Sequence, residues 1–144
     1  MSAFPLLRQA AGIRLKTDHE IQLMRTAGRI VAEVHARLRE HVLPGATTAD
    51  LNDMAEGIIR SYGAIPAFIG YPHPKEGPPF PAALCTSINA ELVHGIPSRK
   101  RVLKAGDIIT IDVGTVYKGY YGDSGWTYPV GHINGETQRL LEIT

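Results

Sequence analysis

The sequence predicts an α+β domain in which two amphipathic helices precede an antiparallel sheet. Three observations carry this. Two segments with helical hydrophobic spacing open the chain, each behind a capping signal. A proline-dense stretch then closes this helical part. Three runs of strand character fill most of the remainder. Helices and strands segregated along the chain, rather than alternating, mark an α+β architecture.

The first helix starts at Thr17. Thr17 and Glu20 form a T-x-x-E capping box, which satisfies two orphan backbone donors reciprocally. Ile21, Met24, Ala27, Val31, Val34 and Leu38 then recur at helical spacing and share one face, with Arg25, Arg29, Glu33 and Arg37 mostly elsewhere. His41 to Gly45 ends the helix, because Pro44 disfavours helical conformation at Leu43 and has no N–H to donate. Thr47 with Asp50 caps a second helix, whose apolar face is Leu51, Met54, Ala55, Ile58, Ile59 and Tyr62. Gly63 stands where a left-handed C-terminal residue is expected. The short connection predicts an antiparallel helix pair.

Residues 66–81 hold six prolines and two glycines, which excludes a regular helix or a central strand. This is a loop with short extended pieces around Phe68 and Ile69. Its aromatics, Phe68, Tyr71 and Phe80, are expected to pack over a neighbouring surface. Strands come next at 83–88, 107–116 and 120–130, the second rich in β-branched residues. Tyr117-Lys118-Gly119 makes a tight hairpin turn, with glycine supplying positive φ. Residues 137–144 read as the start of a helix with Leu140, Leu141 and Ile143 as apolar positions. No stop signal comes after them, which predicts a truncated sequence. Residues 1–16 are an N-terminal extension. Met1 to Ile13 is mildly apolar but lacks a basic n-region and is interrupted by Arg8, unlike a signal peptide.

Composition narrows the function classes. The chain has 144 residues, 44% hydrophobic and 20% charged, with a net charge of +1, as expected of one globular domain with a real core. Near-neutral charge gives no electrostatic reason for nucleic acid or an anionic membrane as a partner. Arg99, Lys100 and Arg101 form the only basic run and read as a solvated turn. The single cysteine, Cys85, excludes an intrachain disulfide and points to a reducing cytoplasm. No apolar run approaches the ~18 residues of a membrane span.

The strongest chemical feature is a pair of aspartates on the hairpin. Alternation puts Thr110 and Asp112 on one face of their strand and Ile109, Ile111 and Val113 on the other. Aspartate is depleted in strands, so one in mid-run needs a reason. Asp112 and Asp123 are equidistant from a turn centred on 117–118, and a two-residue turn there would set them directly opposite. Facing carboxylates repel, so either one takes up a proton with a raised pKa or a cation sits between them. A divalent metal is the usual cation for carboxylate oxygens. The alternative is a different register, with one aspartate a turn or edge residue.

His94 lies at the end of Glu91-Leu92-Val93-His94, before a turn. Imidazole can bind metal, shuttle a proton or donate a hydrogen bond near neutral pH, while a loop histidine held by hydrogen bonds is the plainer reading. Gly95 would let another backbone or a substrate come close. His35 and His41 read as solvated helix residues, and His73 either lines a site or is exposed. Cys85 has no partner that would lower its pKa and reads as a small apolar residue, in a strand or a pocket wall.

Together, residues 85–97 (CTSINAELVHGIP), 103–113 (LKAGDIITIDV) and Gly122-Asp123-Ser124 resemble type I methionine aminopeptidases. The spacings from His94 to Asp112 and from Asp112 to Asp123 agree with that family, as does the leading helix pair, from about Thr17 onward. The resemblance implies a pita-bread fold, a curved antiparallel sheet with helices on its outer face. Residues 17–144 would be its N-terminal half. It implies metal-dependent removal of the initiator methionine by peptide hydrolysis, with two divalent ions drawn from cobalt, manganese, iron or zinc. Asp112 and Asp123 match metal ligands, His94 a substrate-contacting histidine, and Cys85 and Tyr71 positions near the methionine side-chain pocket. The family's other ligands, one histidine and two glutamates, would lie in the other half. N-terminal methionine peptides and nascent chains are the implied partners, with ribosome association compatible with that role. Two competing readings stand beside it: a non-catalytic relative that keeps the fold to bind macromolecules, and a proline-specific peptidase of the same fold.

Overall fold

The computed structural model describes residues 13–73 and 75–144. Most of the expected N-terminal extension lies outside the described residues. Helix α1 spans Asp18–Arg39 behind the Thr17 cap, with both halves of the capping box formed. Helix α2 spans Thr48–Ser61 behind Thr47, where Asp50 completes a second box. Short strand β1 is Ile65–Pro66, followed by β2 at Leu84–Ile88, β3 at Ile108–Tyr117 and β4 at Tyr120–Pro129. Helix α3 is Gly135–Ile143.

Helix α2 ends in a Schellman motif. Gly63 has a φ of 67°, its N–H reaches the Arg60 carbonyl, and Ala64 N–H reaches that of Ile59. Buried Ala64 then lies next to buried Ile59, the apolar contact that accompanies this cap. The left-handed residue expected at Gly63 is therefore where the helix stops.

Strand β3 is the centre of an antiparallel sheet. Strand β4 pairs along its full length on one side. Strands β2 and β1 lie end to end on the other. Pro66 sits in this short outer strand, where a missing N–H is tolerated. Helix α1 packs across β3 and β4, and α2 packs against α1, β1 and β2. The core lies between the helices and one sheet face, where Leu38, Leu51, Ile59, Leu84, Ile109, Ile111 and Val113 are almost fully buried. Each such side chain contributes roughly 1.5–3 kcal/mol on burial.

The structure departs from the sequence expectations in several places. Ile21 and Met24 stay exposed, and Ile30 takes their place in the core. In the first turn of α1 it is Glu20 that is buried, accepting from the Tyr120 hydroxyl of β4 at 2.9 Å. Tyr62, expected on the buried face of α2, is exposed at the helix end. Helix α3 starts two residues earlier than expected, because Asn134 caps it through the Thr137 N–H. Its side chains are not buried.

The hairpin register also differs. Lys118 and Gly119 are the two central turn residues, with φ of 48° and 83°. Both are positive, as a type I′ turn requires. The turn therefore centres one residue later than the sequence suggested, which moves each cross-strand partner by two. Asp112 faces Gly125, and Asp123 faces Gly114.

Candidate active site

The sheet face turned away from the helices carries the polar residues. On β3 these are Thr110 and Asp112, while Ile109, Ile111 and Val113 point into the core, as strand alternation demands. Cys85 and Ser87 of β2 pair with Asp112 and Thr110, so they share this face. Thr127 of β4 pairs with Thr110, and the two hydroxyls are 2.9 Å apart. Asp123 lies two residues from Gly125 and so keeps the same face, diagonal to Asp112.

A cleft of about 300 Å³ opens here, lined by Asp112, Asp123, His94, Cys85, Thr110 and the exposed pair Leu92 and Val93, among others. Asp112 is half-buried. Its carboxyl is pushed above the usual carboxylate range, first by burial, then by the Asp123 charge and by a hydrogen bond with Asp123, with His94 and His35 opposing. Register thus differs from the simplest reading, yet both carboxylates line the same cleft.

His94 reaches the cleft from the loop after β2 with a φ of 60°, a backbone region that non-glycine residues rarely occupy. Gly95 beside it has no room for a side chain: an added Cβ would stand 1.9 Å from the Thr86 carbonyl oxygen. The close approach expected at Gly95 is therefore to the chain's own strand. Thr86 N–H donates to the Gly95 carbonyl over 2.7 Å, and Gly95 N–H donates to Ser87 Oγ.

Cys85 is only 6% exposed. Its thiol is pushed up to about 11 by burial, then by the Asp112 and Asp123 charges. It is therefore a protonated wall of the cleft and not a nucleophile.

Tyr71 is not brought to the cleft. It is 66% exposed and absent from the lining. The proline-rich loop closes on itself: Gly70 N–H donates to the Phe80 carbonyl and Phe80 N–H to that of Tyr71. Phe68 and Phe80 meet edge to face at 6.5 Å. Phe68 covers Gly114, where an added Cβ would lie 2.6 Å from its ring. Phe68 and Phe80 thus pack as expected, and Tyr71 is left in solvent. His73 is also exposed, and its Nδ1 meets Lys75 of its own loop.

His35 is a residue that sequence reasoning misread. It is half-buried, with Nδ1 2.9 Å from the Tyr128 hydroxyl and Nε2 3.0 Å from the Ser124 carbonyl. It ties α1 to β4 beside Asp123. A signal was present: His35 lies four residues after Val31 and three before Leu38, both buried, which puts it on the sheet-facing side.

This fold and these residues have a known setting. Residues 22–144 match the model of metallopeptidase family M24, and the chain belongs to that family. It is 52% identical over 129 residues to methionine aminopeptidase 1 of Bacillus subtilis, covering 90% of this chain and 49% of that protein. It is 48% identical to the methionine aminopeptidase of Clostridium acetobutylicum, covering 92% of this chain and 50% of the relative. The crystal structure of the Thermotoga maritima methionine aminopeptidase superposes with a TM-score of 0.85 at 39% identity, over 92% of this chain and 51% of that one. The chain thus has the pita-bread fold of these structures and spans about half the length of the relatives it matches. A Xaa-Pro dipeptidase from Bacillus anthracis, at 24% identity and a TM-score of 0.72, shares the fold alone.

Membership implies a divalent metal cofactor. The donor set tests that implication. Two carboxylates on one cleft, one with a raised pKa, form the oxygen-rich, mutually repelling arrangement that a divalent cation relieves. Among the described residues, no group of three or more histidine, cysteine, aspartate or glutamate side chains could hold a metal ion. Asp112 and Asp123 therefore fit as part of a metal site. Among the described residues, no helix is long and apolar enough to cross a membrane.

Proposed function

We propose that residues 17–144 form the N-terminal half of a methionine aminopeptidase catalytic domain, which removes the initiator methionine from new proteins by metal-dependent hydrolysis. The observation that carries this is the meeting of Asp112, Asp123 and His94 around one cleft, in a chain 52% identical to a methionine aminopeptidase.

Asp112 and Asp123 would hold two divalent cations, of cobalt, manganese, iron or zinc, together with ligands from the other half of the domain. Cations held there supply Lewis acidity and a bound water of lowered pKa. The chain's own residues do the rest. His94 at the rim hydrogen-bonds the substrate next to the scissile bond. Cys85, protonated and compact, offers an apolar wall to the methionine side chain. Leu92 and Val93, exposed in the free chain, gain burial when an apolar side chain enters. Tyr71, outside the lining, is assigned no contact in this reading. The substrates are N-terminal methionine peptides and nascent chains, met in the cytoplasm and at the ribosome.

The test is hydrolysis of a Met-Ala-Ser peptide by this polypeptide with manganese or cobalt, alone and mixed with the C-terminal half of a relative. Metal-dependent release of methionine from the mixture, abolished by Asp123→Asn, supports the reading, and release by the chain alone would mean that ligands from the other half are dispensable. No release from a mixture whose two polypeptides associate and bind metal would instead favour a non-catalytic module. Faster turnover of Ala-Pro peptides would favour a proline-specific peptidase.

A further inference from the structure

The loop that presents His94 holds a strained backbone and lies largely in solvent, so something must fix it. One side chain reaches across it. Arg101 is 22% exposed. Its Nη1 donates to the Thr86 carbonyl at 2.9 Å and to the Ile96 carbonyl at 2.8 Å. Its Nη2 pairs with the Glu91 carboxylate, which also accepts from Ile88 N–H at 2.8 Å. The three acceptors bracket His94 in sequence: Glu91 before it, Ile96 after it, and Thr86 on the strand it folds back against.

Arg101 is itself anchored to the core scaffold. Its carbonyl accepts from Thr48 N–H in the first turn of α2. Its neighbour Val102 bridges Thr47, and Leu103, buried, donates to the Ala46 carbonyl. A rigid helix start is thereby connected through one guanidinium to both sides of the His94 turn.

We propose that Arg101 is a positioning residue for His94, clamping the loop through Thr86, Ile96 and Glu91 so that the imidazole faces the Asp112–Asp123 cleft. The substrate-contacting role of His94 rests on the function proposed above, whereas the clamp does not. A forked, planar donor suits three divergent acceptors. Lysine, a single compact charge, cannot span them. A basic residue that read as a solvated turn in the sequence thus acts on the site.

The test compares wild type with Arg101→Lys and Arg101→Met in the 144-residue chain by NMR. In both variants the His94 ring and backbone resonances are expected to shift and broaden. The Thr86 amide, bonded to Gly95, should lose roughly 10-fold or more of its exchange protection. The amides of Ile109 and Ile111 in β3 report that the fold survives, and Arg101→Lys keeps the charge should Arg101→Met fail to fold. Unchanged His94 resonances and unchanged Thr86 protection in Arg101→Lys would overturn the clamp.

With the chain paired to a C-terminal half and metal, Arg101→Lys should lower kcat for Met-Ala-Ser, and the loss should vanish in a His94→Ala background. Equal losses in both backgrounds would mean that Arg101 does not act through His94. If His94→Ala leaves turnover intact, the proposed role of His94 fails, and the NMR result alone decides the clamp.

Discussion

Asp123 stands one diagonal step from Asp112 across the β3–β4 hairpin, with Gly125 facing Asp112 and Gly114 facing Asp123. An added Cβ at Gly125 would meet nothing within 4 Å, whereas one at Gly114 would meet the Phe68 ring. The aspartate pair shares a face and an open cleft. Without a cation such an arrangement opposes folding.

That cost has a sign that can be measured. The folded pKa of Asp112 lies above its ordinary value, because of burial and then the Asp123 charge. The native chain therefore holds this proton to higher pH than the unfolded chain. Stability is greatest below the ordinary carboxylate range and declines as pH rises through the folded pKa. At pH 7 in chelator, Asp112→Asn is expected to melt higher than wild type, by on the order of 0.2–1 kcal/mol for a like-charge cross-strand pair. Added manganese should raise the melting temperature of wild type and not of the variant. A variant less stable than wild type in chelator would refute the account.

A glycine contrast on β4 tests how α1 seats on the sheet. An added Cβ at Gly122 would lie 2.6 Å from the Ala27 backbone of α1, whereas at Gly125 it would meet nothing within 4 Å. Gly122→Ala must push the helix off the sheet, a loss of about 1–3 kcal/mol by overpacking. Gly125→Ala should fold almost normally. Urea denaturation of both variants checks this, and equal losses would contradict the close packing.

Much of this architecture was legible in the sequence because it rests on local rules. Thr17 with Glu20, Thr47 with Asp50, and Gly63 are short-range signals, and each marks the helix end it suggested. The alternation of β3 placed Asp112 opposite the core face. What was not legible depends on tertiary neighbours. Ile21 and Met24 have the right period, yet they stay exposed while Glu20 beside them is buried. The turn centre could not be settled by composition, because Tyr117, Lys118 and Gly119 all fit a hairpin and only the φ values of Lys118 and Gly119 choose among registers. His35 and Arg101 look like solvent-facing polar residues until β4 and the His94 loop are placed beside them.

The contribution of His35 to the α1–β4 contact can be measured directly. It bridges the Tyr128 hydroxyl and the Ser124 carbonyl, and Tyr128 is 5% exposed. His35→Phe keeps the ring and removes both contacts, leaving a buried hydroxyl with fewer partners. A loss of roughly 1–3 kcal/mol is expected, with the largest chemical-shift changes at residues 123–125. A neutral substitution with no change there would show that the bridge carries no weight.

Glu20 ties the start of α1 to the hairpin. Its carboxylate accepts from Thr17 N–H at 2.7 Å, from Thr17 Oγ1 at 2.8 Å and from the Tyr120 hydroxyl at 2.9 Å, and it pairs with Arg14. These contacts, Thr17 foremost, lower its pKa from 4.5 to about 2. Because the folded pKa is depressed, its contribution is full above the unfolded value and is lost as pH falls toward 2. Glu20→Gln preserves the capping box in form. Its melting temperature should therefore fall below that of wild type at pH 7 and converge with it as pH drops from 4.5 to 2. A gap that persists at pH 2 would place the effect in packing instead of charge.

Cys85 gives a reading of the cleft's electrostatics that needs no turnover. Burial raises its thiol to about 11, with Asp112 and then Asp123 adding to the shift. Alkylation proceeds through the thiolate, so at pH 8 labelling should run about two orders of magnitude slower than for an ordinary thiol. The rate should rise about tenfold per pH unit past pH 9, where an ordinary thiol has already levelled off. Asp112→Asn removes the carboxylate charge that acts more strongly on the thiol and should speed labelling at fixed pH without altering the rate in denaturant. A plateau below pH 9 would mean that the thiol is not held in its protonated form. Labelling that is equally slow in Asp112→Asn would mean that burial alone sets its reactivity and that the Asp112 carboxylate does not act on the wall of the cleft.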